Sequence, residues 1–382
     1  MLSCKKAQTP NPKHPCYPCN CRRRLPRNMT PTLDAASNGN QFQDLSGIEI
    51  KAGDNPYDAL IEACHGHPVE IQSLYSAHRT ARNTQQRDKF LSSEFRELII
   101  DPFLLRLENP EIEPGFRDPR NCLVFWARPP EHILILADRL QTLLMRAAPS
   151  RYFVSQLSVG VHGHGSHTHS TDLWLMPLHR MHMTTLEVTH SRTAEHIASL
   201  VSALRPVIPL VTSLPYTRRA RLVRPMLSYD LSAIALSFVP AAGEKVLSPP
   251  PVPPLPANIV HPGTGDGSTT ENDGYTYHHL RRDVFELAQS TGVGIESRYV
   301  VPSAHITIGR YLGHKDHETP EQRAHWIKAI EDANSWLEKE VWDVADGEFT
   351  GEWIVGQEKG LDAHCGTLWY GGGRTIMMGE GF

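Results

Sequence analysis

The chain has 382 residues, of which 40% are hydrophobic, 8% aromatic and 21% charged. That balance excludes a wholly disordered or fibrous protein, and no run approaches the 18 consecutive apolar residues of a membrane-spanning helix, so no membrane partner is expected. The net charge of −4 hides an asymmetry: residues 1–27 hold seven Lys/Arg and no acid, which leaves 31 basic against 42 acidic residues in the rest. The body is therefore acidic, and any polyanion site in it must be local.

Residues 1–47 read as a disordered basic head rich in Cys and Pro. It contains Cys16-Tyr-Pro-Cys19, but no second pair follows at zinc-site spacing. It also lacks the apolar stretch of a secretory signal. With the remaining cysteines scattered, the expected location is a reducing compartment, cytoplasm or nucleus. Order is expected from residue 48, as one domain to residue 382. Its first part, 48–120, reads as a helical extension. Asn55-Pro56 and Gly66 bracket a short helix over 57–64, and a polar helix follows over 68–90. Pro102, Pro110, Pro114 and Pro119 then punctuate a belt across the core.

From residue 121 the chain runs twice through strand, helix, strand, helix. The first pass is Cys122–Trp126, Pro130–Met145, Met181–Val188 and 193–204; the second is Ala233–Val239, Tyr277–Gln289, Ala304–Tyr311 and Pro320–Glu340. Further strands are expected around Trp353 and over Thr367–Tyr370. Two inserts interrupt the plan. One, 158–172, carries His162, His164, His167 and His169; it reads as a mobile loop, with a metallohydrolase site as the competing reading. The other, 243–274, is rich in Pro and Gly and includes six prolines within 248–256.

The second strand of each pass carries His-x-Thr: His182-Met-Thr184 and His305-Ile-Thr307. The tripeptide alone is a weak signal, and His78-Arg-Thr80 and His317-Glu-Thr319 read as chance matches. Its recurrence at matching places in two matching halves is the specific feature. Residues two apart on a strand share a face, so each His projects with its Thr while Met183, Ile306 and Ile308 turn to the core. Two imidazoles and two hydroxyls about one cleft suit phosphodiester chemistry. One neutral His takes a proton, the opposing protonated His gives one, and the Thr hydroxyls hold the phosphoryl oxygens. An ordinary His pKa near 6.5 would let both work at neutral pH. This chemistry calls for no metal and no cofactor.

The stretches Pro177-Leu-His-Arg-Met-His182-Met-Thr-Thr-Leu-Glu-Val and Val301-Pro-Ser-Ala-His305-Ile-Thr-Ile-Gly-Arg310 resemble the two signatures of the two-histidine phosphoesterase superfamily. That superfamily includes RNA 2′,3′-cyclic phosphodiesterases once described as 2′–5′ RNA ligases. Asp118–Pro130 and Tyr277–Asp283 resemble, more narrowly, fungal proteins labelled RNA ligase/cyclic nucleotide phosphodiesterase. The resemblance spans roughly residues 50–382. It implies an α+β fold of two pseudo-symmetric lobes of antiparallel sheet, with helices outside and a cleft between. It also implies catalytic roles for His182, Thr184, His305 and Thr307. The motifs lie 123 residues apart, wider than in compact members, and the Pro-rich insert accounts for the excess.

The expected activity is hydrolysis of the 2′,3′-cyclic phosphate of a nucleotide or RNA end. The alternatives are a non-catalytic binding module with the same cleft, or an RNA-trimming nuclease that leaves a cyclic end. No DNA duplex partner is expected, and the chain reads as a monomer. Tyr311 shares the alternation of His305 and is a candidate to stack on a base. Arg310, three beyond Thr307, falls on the opposite face by simple alternation and joins the site only if the strand bulges. The run Arg218-Arg-Ala-Arg221 with Arg224 reads as a solvated face rather than a phosphate-backbone contact. Tyr229, Tyr277 and Tyr299 are open between core and surface.

Overall fold

The computed structural model describes residues 53–148, 172–247, 273–296 and 300–382. The basic head, nearly all of both inserts and Tyr299 lie outside the described residues. Three helices come first: α1 (Asp58–Ala63), α2 (Pro68–Leu91) and α3 (Pro102–Glu108). The first pass follows as β1 (Asn121–Ala127), α4 (Glu131–Ala147), a short β2 (Leu173–Leu175), β3 (Met183–Arg192) and α5 (Ala194–Leu204). Then come α6 (Ile208–Thr217) and β4 (Arg221–Tyr229). The second pass is β5 (Ala233–Pro240), α7 (Tyr277–Gln289), β6 (Ala304–Tyr311) and α8 (Pro320–Glu340), closed by β7 (Trp353–Ile354), β8 (Lys359–Gly366) and β9 (Arg374–Glu380).

Local chemistry explains the boundaries. In α1 the chain enters through a turn, so the helix opens at Asp58 rather than at the proline; Asn55 Oδ1 still accepts from the Tyr57 amide at 3.2 Å. Gly66, at φ +67°, closes α1 by donating its N–H to the Ile61 carbonyl at 2.8 Å. Asp101 caps α3, accepting from the Phe103 amide at 2.8 Å. Thr319 and Gln322 form a reciprocal capping box at the start of α8, with contacts of 3.2 and 2.8 Å. That assigns His317-Glu-Thr319 to helix initiation.

The nine strands among the described residues join one antiparallel sheet, curled into a half-barrel, in the order β7-β4-β5-β6-β3-β1-β8-β9, with β2 alongside the end of β6. The two sheets expected from the sequence are thus continuous. They meet where β6 and β3 share one registered pair, Met183 opposite Ile306. Both side chains are buried on the core side. Helix α2 lies across β4 and β5, α4 against β6, α7 against β3, and α6 against β8 and β9.

Two expectations are corrected here. No strand occupies Thr367–Tyr370. The strand β8 stops at Gly366, whose φ of +111° turns the chain, and Trp369–Gly371 forms a tight 3-10 turn. Nor is Arg218–Arg221 solvated throughout: Arg218 is exposed, but Arg219 and Arg221 are buried. Arg221 is 3% exposed and sits between Asp273 and Glu352, at 2.7 Å from each, while Arg218 bonds Asp283 at 2.6 Å. With those carboxylates in place, these arginines serve the fold.

Candidate active site

The register at Met183 and Ile306 sets the geometry of everything around it. With those two side chains facing the core, residues 182, 184, 305 and 307 face the concave side of the sheet. Antiparallel pairing then sets His182 opposite Thr307, and Thr184 opposite His305. A local two-fold axis passes between Met183 and Ile306. The histidines occupy the diagonal of this square, about 7–8 Å apart by ordinary sheet geometry. All four side chains line one cleft of about 620 Å³, including the space at its mouth.

Each motif is followed by a bulge. In β3, Phe125 pairs with Leu186 and Trp126 with Thr184, which leaves Thr185 as the extra residue. In β6, Ile234 pairs with Gly309 and Ala235 with Thr307, which leaves Ile308 as the extra residue. An extra residue reverses the alternation, so the fifth residue after each histidine returns to the cleft. These residues are Glu187 and Arg310, and both line it. Arg310 thereby joins the site that simple alternation denied it.

The same bulge removes Tyr311, correcting its candidacy as a base-stacking residue. Tyr311 is 1% exposed, its hydroxyl accepts from Trp326 Nε1 at 3.0 Å, and its ring packs edge-on against His317. It is a core residue.

Buried side chains pin the bulges crosswise. Gln141 on α4, in the first half, donates to the Ile308 and Met176 carbonyls at 2.8 Å each. From α7, in the second half, Tyr277 donates to the Thr184 carbonyl at 3.1 Å and Arg281 to the Thr185 carbonyl at 3.3 Å. Tyr277 is therefore core, as is Tyr229. Replacing Gln141 by Leu removes one of the two donors to the Ile308 carbonyl and is expected to cost about 1–3 kcal/mol of stability. It should also loosen Arg310 and raise the concentration of phosphorylated ligand needed for half-saturation. Denaturant titration and ligand titration measure the two; an unchanged binding curve would dismiss the positioning role.

The two imidazoles have unlike partners. His182 Nδ1 lies 2.8 Å from the Arg180 carbonyl, which can only accept, so Nδ1 carries the proton. Its Nε2 is left with the lone pair when the ring is neutral. The ring stacks on Trp126, with centroids 3.8 Å apart and planes 18° apart; Trp126 also stacks against His364 at 4.3 Å. In turn His364 contacts Asp362 at 3.1 Å, and Asp362 is held by Arg128. On the other strand, His305 Nδ1 meets the Ser303 hydroxyl at 2.9 Å, a partner that can donate or accept.

Burial pushes His182 down to about 3, with the Arg180 carbonyl opposing and Arg128 adding to the shift. Burial likewise pushes His305 down to about 4, helped by Arg281 and Arg82. This corrects the expectation of an ordinary pKa near 6.5. With the protein's own groups alone, both rings are neutral at pH 7. Protonating either ring at that pH would take a negative charge brought close to it.

Sequence reasoning missed Glu187, Trp126 and Gln141 as parts of the site. A signal for Glu187 was present: it stands at the same offset from His182 as Arg310 does from His305. Beyond them, Val124, Cys122 and Leu368 form an apolar wall beside Glu187, and Tyr370 lies near Arg310. Among the described residues, no three His, Cys, Asp or Glu side chains are grouped to hold a metal ion. The metal reading of the His-rich insert concerns residues outside those described. No known protein-family model matches this chain, and no curated protein does either.

Proposed function

We propose that the chain is a two-histidine phosphoesterase of two pseudo-symmetric lobes that hydrolyses the 2′,3′-cyclic phosphate of a nucleotide or RNA end. One observation carries the reading: two His-x-Thr pairs related by a two-fold axis on the concave face, with each His diagonal to the other. Water attacks phosphorus on the side opposite the departing ribose oxygen, so the base and the acid must stand on opposite sides of the phosphate. The diagonal histidines meet that requirement. One imidazole takes the proton of the attacking water as the new P–O bond forms. The other gives its proton to the ribose oxygen as the old P–O bond breaks, and a phosphomonoester results. Thr184 and Thr307 donate to the non-bridging oxygens, and Arg310 supplies positive charge at one end of the cleft.

The substrate takes part in setting the protonation state. Its negative charge offsets the depression of the histidine that becomes the acid, so the proton arrives with the phosphate. The kcat/KM profile should therefore reach its maximum on the acid side of pH 6.5, and its limbs should move upward in the kcat profile, which reports the complex. Identical limbs in both profiles would remove this account of the proton.

The deciding test uses the four 2′,3′-cyclic nucleotides and an oligonucleotide ending in a cyclic phosphate, with and without EDTA. Turnover insensitive to chelator, giving a phosphomonoester, is the expected outcome. Tight nucleotide binding with no turnover would make the chain a binding module, and cyclic-ended products from linear RNA would make it a nuclease.

A further inference from the structure

Trp126 lines the cleft, where a tryptophan ordinarily offers a face to a flat ligand. Its faces are already taken. His182 stacks on it at 3.8 Å between ring centroids and His364 at 4.3 Å, with planes 18° and 24° apart. The register explains the sandwich. On β1, Trp126 pairs with Thr184 of β3 on one side and with Asp362 of β8 on the other. His182 and His364 each stand one diagonal step away, toward opposite ends of β1, so their rings reach the indole from opposite sides. Trp126 belongs to the small apolar cluster of Cys122, Val124 and Leu368, apart from the main core.

The role of the stack follows from the freedom of an imidazole. The ring turns about two bonds, and the 2.8 Å bond from His182 Nδ1 to the Arg180 carbonyl fixes one atom of it. That bond leaves the ring plane free to pivot. A flat indole against the ring removes the pivot and so fixes the direction of Nε2, the nitrogen left for proton transfer. The indole is in turn kept from swinging by His364. That ring is held at Nδ1 by Asp362 at 3.1 Å and the Thr375 hydroxyl at 3.2 Å, and at Nε2 by the Gly372 carbonyl at 3.0 Å. Arg128 binds Asp362 at 2.6 Å and reaches the Met181 carbonyl, next to His182, at 3.4 Å.

Resting on the reading of the cleft as a cyclic-phosphate site, we propose that Trp126, backed by His364, is a positioning residue that aims His182 for proton transfer. The test measures kcat and KM for the 2′,3′-cyclic nucleotides with Trp126→Leu, apolar but not flat, and Trp126→Phe, which keeps a flat face. Leucine should lower kcat about 10- to 100-fold with KM little changed, because the misaimed group acts in the chemical step. Phenylalanine should recover most of that loss. In a His182→Ala background Trp126→Leu should cost nothing further, whereas a merely structural tryptophan would lower what activity remains. An undiminished kcat in Trp126→Leu, or a further loss in the His182→Ala background, overturns the proposal and leaves the phosphodiesterase reading standing.

A second measurement leaves Trp126 in place. In NMR spectra of the histidine-labelled chain, with His182 assigned by its loss in His182→Ala, the His182 ring protons should lie upfield, shifted by the indole ring current. His364→Ala should return them toward ordinary positions and lower kcat, and His364→Phe, which keeps a flat backing, should do neither. Ordinary positions in the wild type, or no response to His364→Ala, overturn the proposal even where Trp126→Leu does not fold. If the wild type turns over none of the cyclic nucleotides, the phosphodiesterase reading fails instead. The resonances then decide alone: upfield protons that His364→Ala releases support the orienting stack, and ordinary positions overturn it.

Discussion

Alanine at His182 or at His305 is expected to lower kcat for cyclic-phosphate hydrolysis by about 10²–10⁴-fold, the usual contribution of one general acid or base. The double variant should be little worse than the weaker single one, because acid and base act on opposite sides of a single displacement and losing either disables the concerted step. Folding should be affected little: both rings lie on the cleft face and contribute no core packing beyond the His182–Trp126 stack. The variants therefore need checking only for an unchanged denaturation midpoint. Thr184→Val and Thr307→Val should each cost less, about 10- to 100-fold, since a remaining hydroxyl still holds the phosphate. Hydrolysis by the double histidine variant at the wild-type rate would end the proposed mechanism. Equal, additive losses would mean that the two imidazoles act in separate steps.

Much of the fold is legible in the sequence wherever periodicity is undisturbed. Tyr277–Gln289, Ala304–Tyr311 and Pro320–Glu340 appear over the expected residues, because hydrophobic spacing and caps agree there. Segments whose composition works against their structure were not legible. Helix α6 has Pro209 in its first turn and Pro215 inside. Strand β4 holds two arginines of the apparent basic run, Arg221 and Arg224, and carries Pro225 at a bulge, beside Arg224 at φ +54°. The candidate site divides the same way. A two-residue period locates His182, Thr184, His305 and Thr307, and it fails three residues later, because a bulge depends on tertiary contacts. Gln141 on α4 holds the Ile308 carbonyl from far along the chain, and nothing near Arg310 announces it. The apolar Leu368 and Trp369 read as strand because both are shielded, but they are shielded by lining the cleft.

Acidification should destabilise the fold between pH 6.5 and 4.5, before most carboxylates protonate. Three histidines away from the cleft are buried with depressed pKa values. His278, fully buried, is pushed well below 6.5 by burial and then by Arg281. His279 is pushed down to about 4 by burial and Arg282, and its Nδ1 accepts the Thr276 amide that starts α7, a bond that only the neutral ring can make. His317 is pushed down to about 4 by burial, with Asp316 opposing and Arg323 assisting; Phe90, Tyr311 and Trp326 surround it. In the unfolded chain all three titrate near 6.5, so over this window the unfolded state binds more protons and stability rises with pH. Each histidine contributes up to about 1.4 kcal/mol per pH unit, so His279 and His317 alone withdraw on the order of 5 kcal/mol by pH 4.5, and His278 acts in the same direction. That is a large share of a typical stability of about 5–15 kcal/mol. The melting temperature should fall by about 10 °C or more between pH 7 and 4.5, and a flat profile would refute the assignment. One substitution isolates a single contributor. Both His317 ring nitrogens are buried without a hydrogen-bond partner among the described residues. Phenylalanine there leaves no polar atom unsatisfied, so His317→Phe should be neutral or stabilising at pH 7 and should remove about one proton from the pH dependence of unfolding.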